Sequence, residues 1–207
     1  MKKISKKFKA SKNQIKRRRI VLLILFSPII AFIIFGIYSN NHQQTEPEKS
    51  IIPEEFMPIY FAAEEKFRVP WYLLAAIHRV ETIFSSMDPM LSPVGAEGHM
   101  QFMPCTFVGW SHPTCTDLGQ GDIPEDEKVN PKIIAKYNGY GIDANGDGKA
   151  DPWDIEDAIF SAANYLAKSG AADGDIRKAI FAYNHSDQYV EDVMHYVDLY
   201  KNLKKEQ

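Results

Sequence analysis

Apolar residues recur along most of this chain at helical rather than alternating spacing, and no segment reads convincingly as a strand. After Pro70, the residues Leu73, Leu74, Ile77, Val80 and Glu81 fall on one side of a helix, with the proline at the first helical position. Asp154 is placed to cap a helix whose buried stripe is Ile155, Ile159, Ala162 and Leu166, closed by Gly170. Asp175 is placed to cap Ile176 to Tyr183. Ser186 precedes the last helix, which carries Val190, Val193, Val197 and Tyr200 on one face and Lys201, Lys204 and Lys205 near its C-terminus, where cations are favoured. Segments 85–98 and 111–152 are rich in Gly, Pro, Asp and Ser, and long loops in a compact helical domain usually carry function. The expected class is mainly α with long loops.

One stretch has a different pattern. From Ile20 to Tyr38 nineteen residues carry no charge, and as a helix they span roughly 28 Å, the thickness of a bilayer's hydrocarbon core. A cleaved signal peptide is the alternative, but its apolar region is shorter and ends at a small-residue cleavage site, which does not follow Tyr38. The charges are segregated around this run: residues 1–19 hold ten bases and no acid, which leaves fourteen bases against all 27 acids in the remainder. Ten bases before an apolar span set its orientation, so 1–19 is expected in the cytoplasm, 20–38 in the membrane, 39–50 as a polar tether and 51–207 as a folded domain on the cell-wall side. The acidic balance of that domain argues against nucleic acid as its partner.

Within the domain, Glu81 follows Ile77 and Leu74 by four and seven positions, which puts a carboxyl group on the apolar side of its helix. There it must be paired or have a raised pKa, and a raised pKa suits a general acid. Ser92 to Pro104 (SPVGAEGHMQFMP) contains two glycines that permit close backbone approach, then sets Gln101 among Met100, Phe102 and Met103. Ala182 to Val190 (AYNHSDQYV) offers Tyr183, Asn184 and Tyr189, and aromatic rings with polar tips suit a sugar. Taken separately, each segment also reads as core or cap.

Together, Glu81-Thr82, S-x-x-G-A-x-G-x-x-Q-F-M-P and A-Y-N-x-S-x-x-Y-V, in this order, resemble the lytic murein transglycosylases similar to the membrane-bound type B family, over about residues 55 to 200. The resemblance implies a lysozyme-like, mainly helical domain that cleaves the β-1,4 bond between N-acetylmuramic acid and N-acetylglucosamine in peptidoglycan. It implies Glu81 as the catalytic acid/base, with Ser92, Gln101, Tyr183 and Asn184 positioning the muramoyl residue and Tyr189 lining the same groove. Most glycoside hydrolases use two carboxylates. In this family one glutamate serves twice, and the product is a 1,6-anhydro sugar formed without water or cofactor. Asp88 and Glu97, read as solvated loop residues, are the nearest candidates for a second carboxylate and keep a hydrolytic muramidase open. A catalytically weak peptidoglycan-binding scaffold is the other alternative.

Asp143 to Asp154 (DANGDGKADPWD) places Asp143, Asn145, Asp147, the Lys149 carbonyl, Asp151 and Asp154 at positions 1, 3, 5, 7, 9 and 12 of a calcium loop, with Gly148 at position six. The twelfth residue is Asp where Glu is usual, and Asp157 is a possible substitute. An Asx-rich turn without metal is the alternative, and calcium would be structural only. The two cysteines, Cys105 and Cys115, both fall in the domain assigned outside the membrane, where a disulfide is allowed. They could pair across the short loop or remain free, and His99 and His112 do not complete a zinc spacing with them.

Overall fold

The computed structural model describes residues 52–116 and 118–203; the basic tail, the uncharged run and the tether lie outside the described residues. Among the described residues the order is α1 (Met57–Phe67), α2 (Trp71–Thr82), α3 (Pro104–Val108), α4 (Glu125–Lys128), α5 (Pro131–Lys136), α6 (Ile155–Lys168), α7 (Ile176–Tyr183) and α8 (Asp187–Leu203), with single 3-10 turns at Glu54–Phe56 and Ala171–Asp173. No strand forms there; two isolated bridges join Leu91 to Glu97 and Glu97 to Phe102. No helix among the described residues is long and apolar enough to cross a membrane.

Helix α2 is the axis of the core. Leu73, Leu74, Ala75, Ala76 and Ile77 are fully buried in succession, as expected of a helix that is apolar on every side. It packs most extensively against α8, through whose buried stripe of Val193, Val197 and Tyr200 it is covered. Helix α1 lies against α6, where Ala158, Ala162 and Ala163 are fully buried and allow close approach. All of these residues belong to one continuous cluster.

Side-chain caps open α5, α6 and α8, the first through Asn130. Asp154 accepts from the amides of Glu156 and Asp157, and Ser186 Oγ accepts from Tyr189 N at 3.3 Å. Asp175 flanks α7 as expected, but its side chain makes no capping bond. Pro70 is the residue before α2 rather than its first, and its carbonyl takes the amides of Leu73 and Leu74. Helix α1 has no counterpart among the sequence expectations, and segment 111–152 is not a continuous loop: α4 and α5 lie within it. Four and six residues are too few to display a helical period. Cys105 and Cys115 are joined, with their Cα atoms 5.7 Å apart. In the chain-entropy view, closing so short a loop contributes about 2 to 3 kcal/mol.

Candidate active site

Glu81 occupies the last turn of α2, partly open at its own surface yet deep among neighbouring atoms. Burial raises its pKa from 4.5 to about 7, and a hydrogen bond from Tyr189 opposes part of that rise. Tyr189 is buried in the first turn of α8 and donates its hydroxyl to Glu81 Oε1 at 2.5 Å. A carboxyl group balanced near neutrality can give up a proton and take one back. Tyr183 is close enough for the Glu81 charge to raise its pKa further, after burial, and its hydroxyl donates to the Met100 carbonyl at 2.8 Å. The fold thus brings the ends of α2, α7 and α8 together around one carboxyl group.

A cavity of about 370 Å³ opens beside this cluster, lined by Gln101, Met103, Tyr140, Tyr165 and Tyr183 among others. Gln101 has φ +51, and its Nε2 donates to the carbonyls of Met90 and Gly98 at 3.1 and 2.9 Å. Both amide hydrogens are therefore spent on the chain, so Gln101 can offer a ligand only its carbonyl oxygen. Ser92 Oγ accepts from Ala96 N at 2.8 Å, which leaves its hydroxyl hydrogen to give. Asn184 is exposed, and its backbone, not its side chain, supports the turn into α8 through Ser186 N. Of the expected site residues, Tyr189 is hydrogen-bonded to Glu81, Tyr183 lies within reach of the Glu81 charge, and Gln101 and Tyr183 line one cavity.

Neither alternative carboxylate joins them. Asp88 is exposed. Glu97 is not the solvated loop residue its sequence suggests: it is partly buried and paired with Lys128 Nζ at 2.8 Å, which also holds Glu125 at 2.9 Å.

Residues 133–178 match the family described as Transglycosylase SLT domain. That match supports a lytic transglycosylase, lysozyme-like family. It runs from α5 into α7 and so stops short of Glu81, Gln101 and Tyr183. Over 145 residues the chain is 30% identical to a Bacillus subtilis (strain 168) protein named L-Ala--D-Glu endopeptidase, an alignment that covers 70% of this chain and 41% of that protein. No solved structure matches.

What holds Glu81 in place on this helical scaffold was not visible in its motif. Immediately after Thr82, the non-glycine residues Ile83, Phe84 and Ser85 have φ of 53°, 56° and 63°, a left-handed run that costs about 1 to 2 kcal/mol per residue. A hydrogen-bond chain offsets it. Tyr60 Oη lies 2.7 Å from His78 Nδ1, His78 Nε2 is 2.7 Å from Ser85 Oγ, Ser85 Oγ is 2.6 Å from His99 Nδ1, and His99 Nε2 is 2.9 Å from the Trp153 carbonyl. Burial lowers the pKa of both rings, His78 to about 3, and so keeps them neutral. With neutral rings, a carbonyl that can only accept fixes every proton: His99 Nε2 donates to it, Ser85 donates to His99, His78 Nε2 donates to Ser85, and Tyr60 donates to His78. Thr82 Oγ1 also donates to the His99 carbonyl at 2.8 Å and accepts from Ser85 N at 3.1 Å.

The Asp-rich loop joins the same frame. His99 N donates to the Pro152 carbonyl, and a Cβ on Gly98 would sit 1.9 Å from that oxygen, so only glycine allows the two segments to meet. Within the loop, Asp143 accepts from Gly146 N and Gly148 N, Asn145 from Asp147 N, Asp147 from Lys149 N, and Asp151 from Trp153 N. These oxygen donors suit a hard cation, and Gly148 has the positive φ of 91° that position six calls for. However, no three His, Cys, Asp or Glu side chains among the described residues converge closely enough to hold a metal ion. Asp154 already uses Oδ1 as the α6 cap. Asp157 is not a spare ligand, because it is buried and its two oxygens accept from Ala144, Asn145 and Asp151 amides.

Proposed function

We propose that this chain is a peptidoglycan lytic transglycosylase, nearest to the membrane-bound type B kind on its three ordered motifs. The observation that carries the reading is Glu81, a carboxyl group with a pKa of about 7, held by Tyr189 and touched by no second carboxylate among the described residues. Protonated Glu81 gives its proton to the glycosidic oxygen as the bond from C1 of N-acetylmuramic acid breaks. The substrate's own N-acetyl group stabilises C1. Glu81, now ionised, takes the proton of the C6 hydroxyl as that oxygen bonds to C1, and a 1,6-anhydro end results with no water consumed. Tyr189 orients the carboxyl group, while Tyr183, Gln101, Ser92 and Asn184 position the muramoyl residue.

The Bacillus subtilis relative is named for peptide cleavage, but this chain spans 41% of its length. Both cysteines here are joined in a disulfide, so no thiolate is available as a peptidase nucleophile. Mass analysis of muropeptides after digestion decides between the readings. Anhydro ends are expected; reducing ends would indicate a muramidase, cut stem peptides a peptidase, and intact strands a binding scaffold.

The proposal extends to two features. Residues 20–38 anchor the domain on the cell-wall side of the membrane, and a structural calcium ion would draw together the loop from Asp143 to Asp154, whose acidic side chains do not converge without it, through Asp143, Asn145, Asp147, the Lys149 carbonyl, Asp151 and the Asp154 oxygen not used in the cap. A ligand that binds only the folded state raises its stability. Chelator should lower the melting temperature of the native chain, and Asp147→Ala should abolish that response. Identical melting in calcium and in chelator would leave an unmetallated turn.

A further inference from the structure

The loop that follows α3 has no role in the chemistry above, yet it carries a large exposed aromatic side chain on a rigid support. Trp110 is 53% exposed, an apolar surface that folding leaves in water. The backbone beneath it is fixed at several points. Cys115 is tied covalently to Cys105, Gly109 N donates to the Cys105 carbonyl, His112 N to the Gly109 carbonyl, and Cys105 N to the Gly119 carbonyl. The His112 ring lies between Thr114 Oγ1 at 2.9 Å and Glu127 Oε2 at 3.1 Å, which ties the loop to α4.

Gly109 and Gly119 explain how the indole is placed. A Cβ on Gly109, at φ 120°, would meet the Tyr137 carbonyl oxygen at 2.1 Å, so the turn that launches Trp110 requires glycine. A Cβ on Gly119 would lie 3.0 Å from Cζ2 and Cη2 of Trp110, so the ring rests against bare backbone there. Part of the indole is thus seated on the loop while more than half remains open, and Trp110 lines the same cavity as Gln101 and Tyr183.

We propose that Trp110 is a stacking platform for an N-acetylhexosamine ring of the glycan strand, a specificity-determining residue in a subsite adjoining Glu81. The inference rests on the glycan-cleaving reading of that site. A pyranose ring has an apolar face and a hydroxylated rim. The indole supplies the matching apolar plane, while Gln101 offers its carbonyl to the rim. Because disulfide and backbone bonds fix the loop beneath the ring before the ligand arrives, little backbone ordering is lost on binding.

The test uses the full chain in detergent with a β-1,4-linked tetramer of N-acetylglucosamine as calorimetric probe and peptidoglycan as substrate. Trp110→Ala should weaken tetramer binding about tenfold, in line with the loss of one well-placed aromatic contact. It should raise KM on peptidoglycan similarly while kcat stays within about threefold, since the residue does not touch the reacting atoms. Trp110→Phe should recover most of the affinity, which a merely structural role would not produce. Unchanged binding and KM in Trp110→Ala, with glycan still cleaved, would overturn the subsite and leave the proposed function standing. Trp110-dependent binding without anhydro products would do the reverse. Failure of the native chain to bind the tetramer would overturn the subsite outright.

Discussion

Glu81→Gln should bind glycan strands about as tightly as the native chain while turnover falls at least about 10⁴-fold, because in the proposed reaction one side chain carries both proton transfers and each general acid or base role is typically worth about 10² to 10⁴. The amide keeps the size of the carboxyl group and can still bond the Tyr189 hydroxyl, so the loss isolates proton transfer from packing. A pH profile supplies a second reading. The first step needs protonated Glu81, and its pKa is about 7, so kcat/KM should descend on an alkaline limb with its midpoint near that value. Tyr189→Phe removes the one hydrogen bond that favours the ionised form and should move the limb to higher pH. The same shift has a sign for stability. A carboxyl whose folded pKa exceeds its unfolded value of about 4.5 stabilises the fold at low pH, and that contribution is lost as pH rises from there through about 7. Glu81→Gln should therefore flatten stability across this window. Near native turnover in the variant would refute the assignment.

Helices α6 and α8 were legible because each announces itself twice, by a stripe and by a cap. Ile155, Ile159, Ala162 and Leu166 follow a cap at Asp154, and Val190, Val193 and Val197 follow one at Ser186; the structure places both helices there. Helix α1 lacks that redundancy: its apolar residues run together from Met57 to Ala63, only Tyr60 and Ala63 are buried, and Phe61 is exposed. The motif around Glu81 drew attention to the carboxyl group from its apolar side, and the separate third motif put Tyr189 in the same groove, but their hydrogen bond, across 108 residues, is made only by the packing of α2 on α8. The chain from Tyr60 through His78, Ser85 and His99 to Trp153 is equally invisible beforehand. No spacing rule links residues that belong to separate helices and loops, and each alone reads as an ordinary polar residue. Glu97 shows the opposite error: a charged residue in a glycine-rich loop looks solvated until the fold supplies Lys128.

Asp157→Ala should cost about 3 to 5 kcal/mol of folding stability, a large loss for a residue with no assigned chemistry. The side chain is fully buried, and its oxygens accept from Ala144 N at 2.7 Å, Asn145 N at 3.4 Å and Asp151 N at 2.9 Å. It therefore clamps both limbs of the Asp-rich loop to the first turn of α6, and truncation leaves three amides facing a small void. Asp157→Asn keeps the shape but turns an NH2 toward at least one of those amides, so about 2 kcal/mol should be lost. Urea unfolding of the full chain in chelator measures both without any contribution from metal. Under the same conditions Asp147→Ala, an exposed loop change, should stay within about 0.5 kcal/mol. The loop is docked on His99 through the carbonyls of Pro152 and Trp153, and His99 in turn supports Ser85 and Thr82 beside Glu81. Loosening the clamp should thus lower activity more than the unfolded fraction explains. If Asp157→Ala unfolds within about 1 kcal/mol of the native chain, the three amides reach water and the loop is not held by this residue.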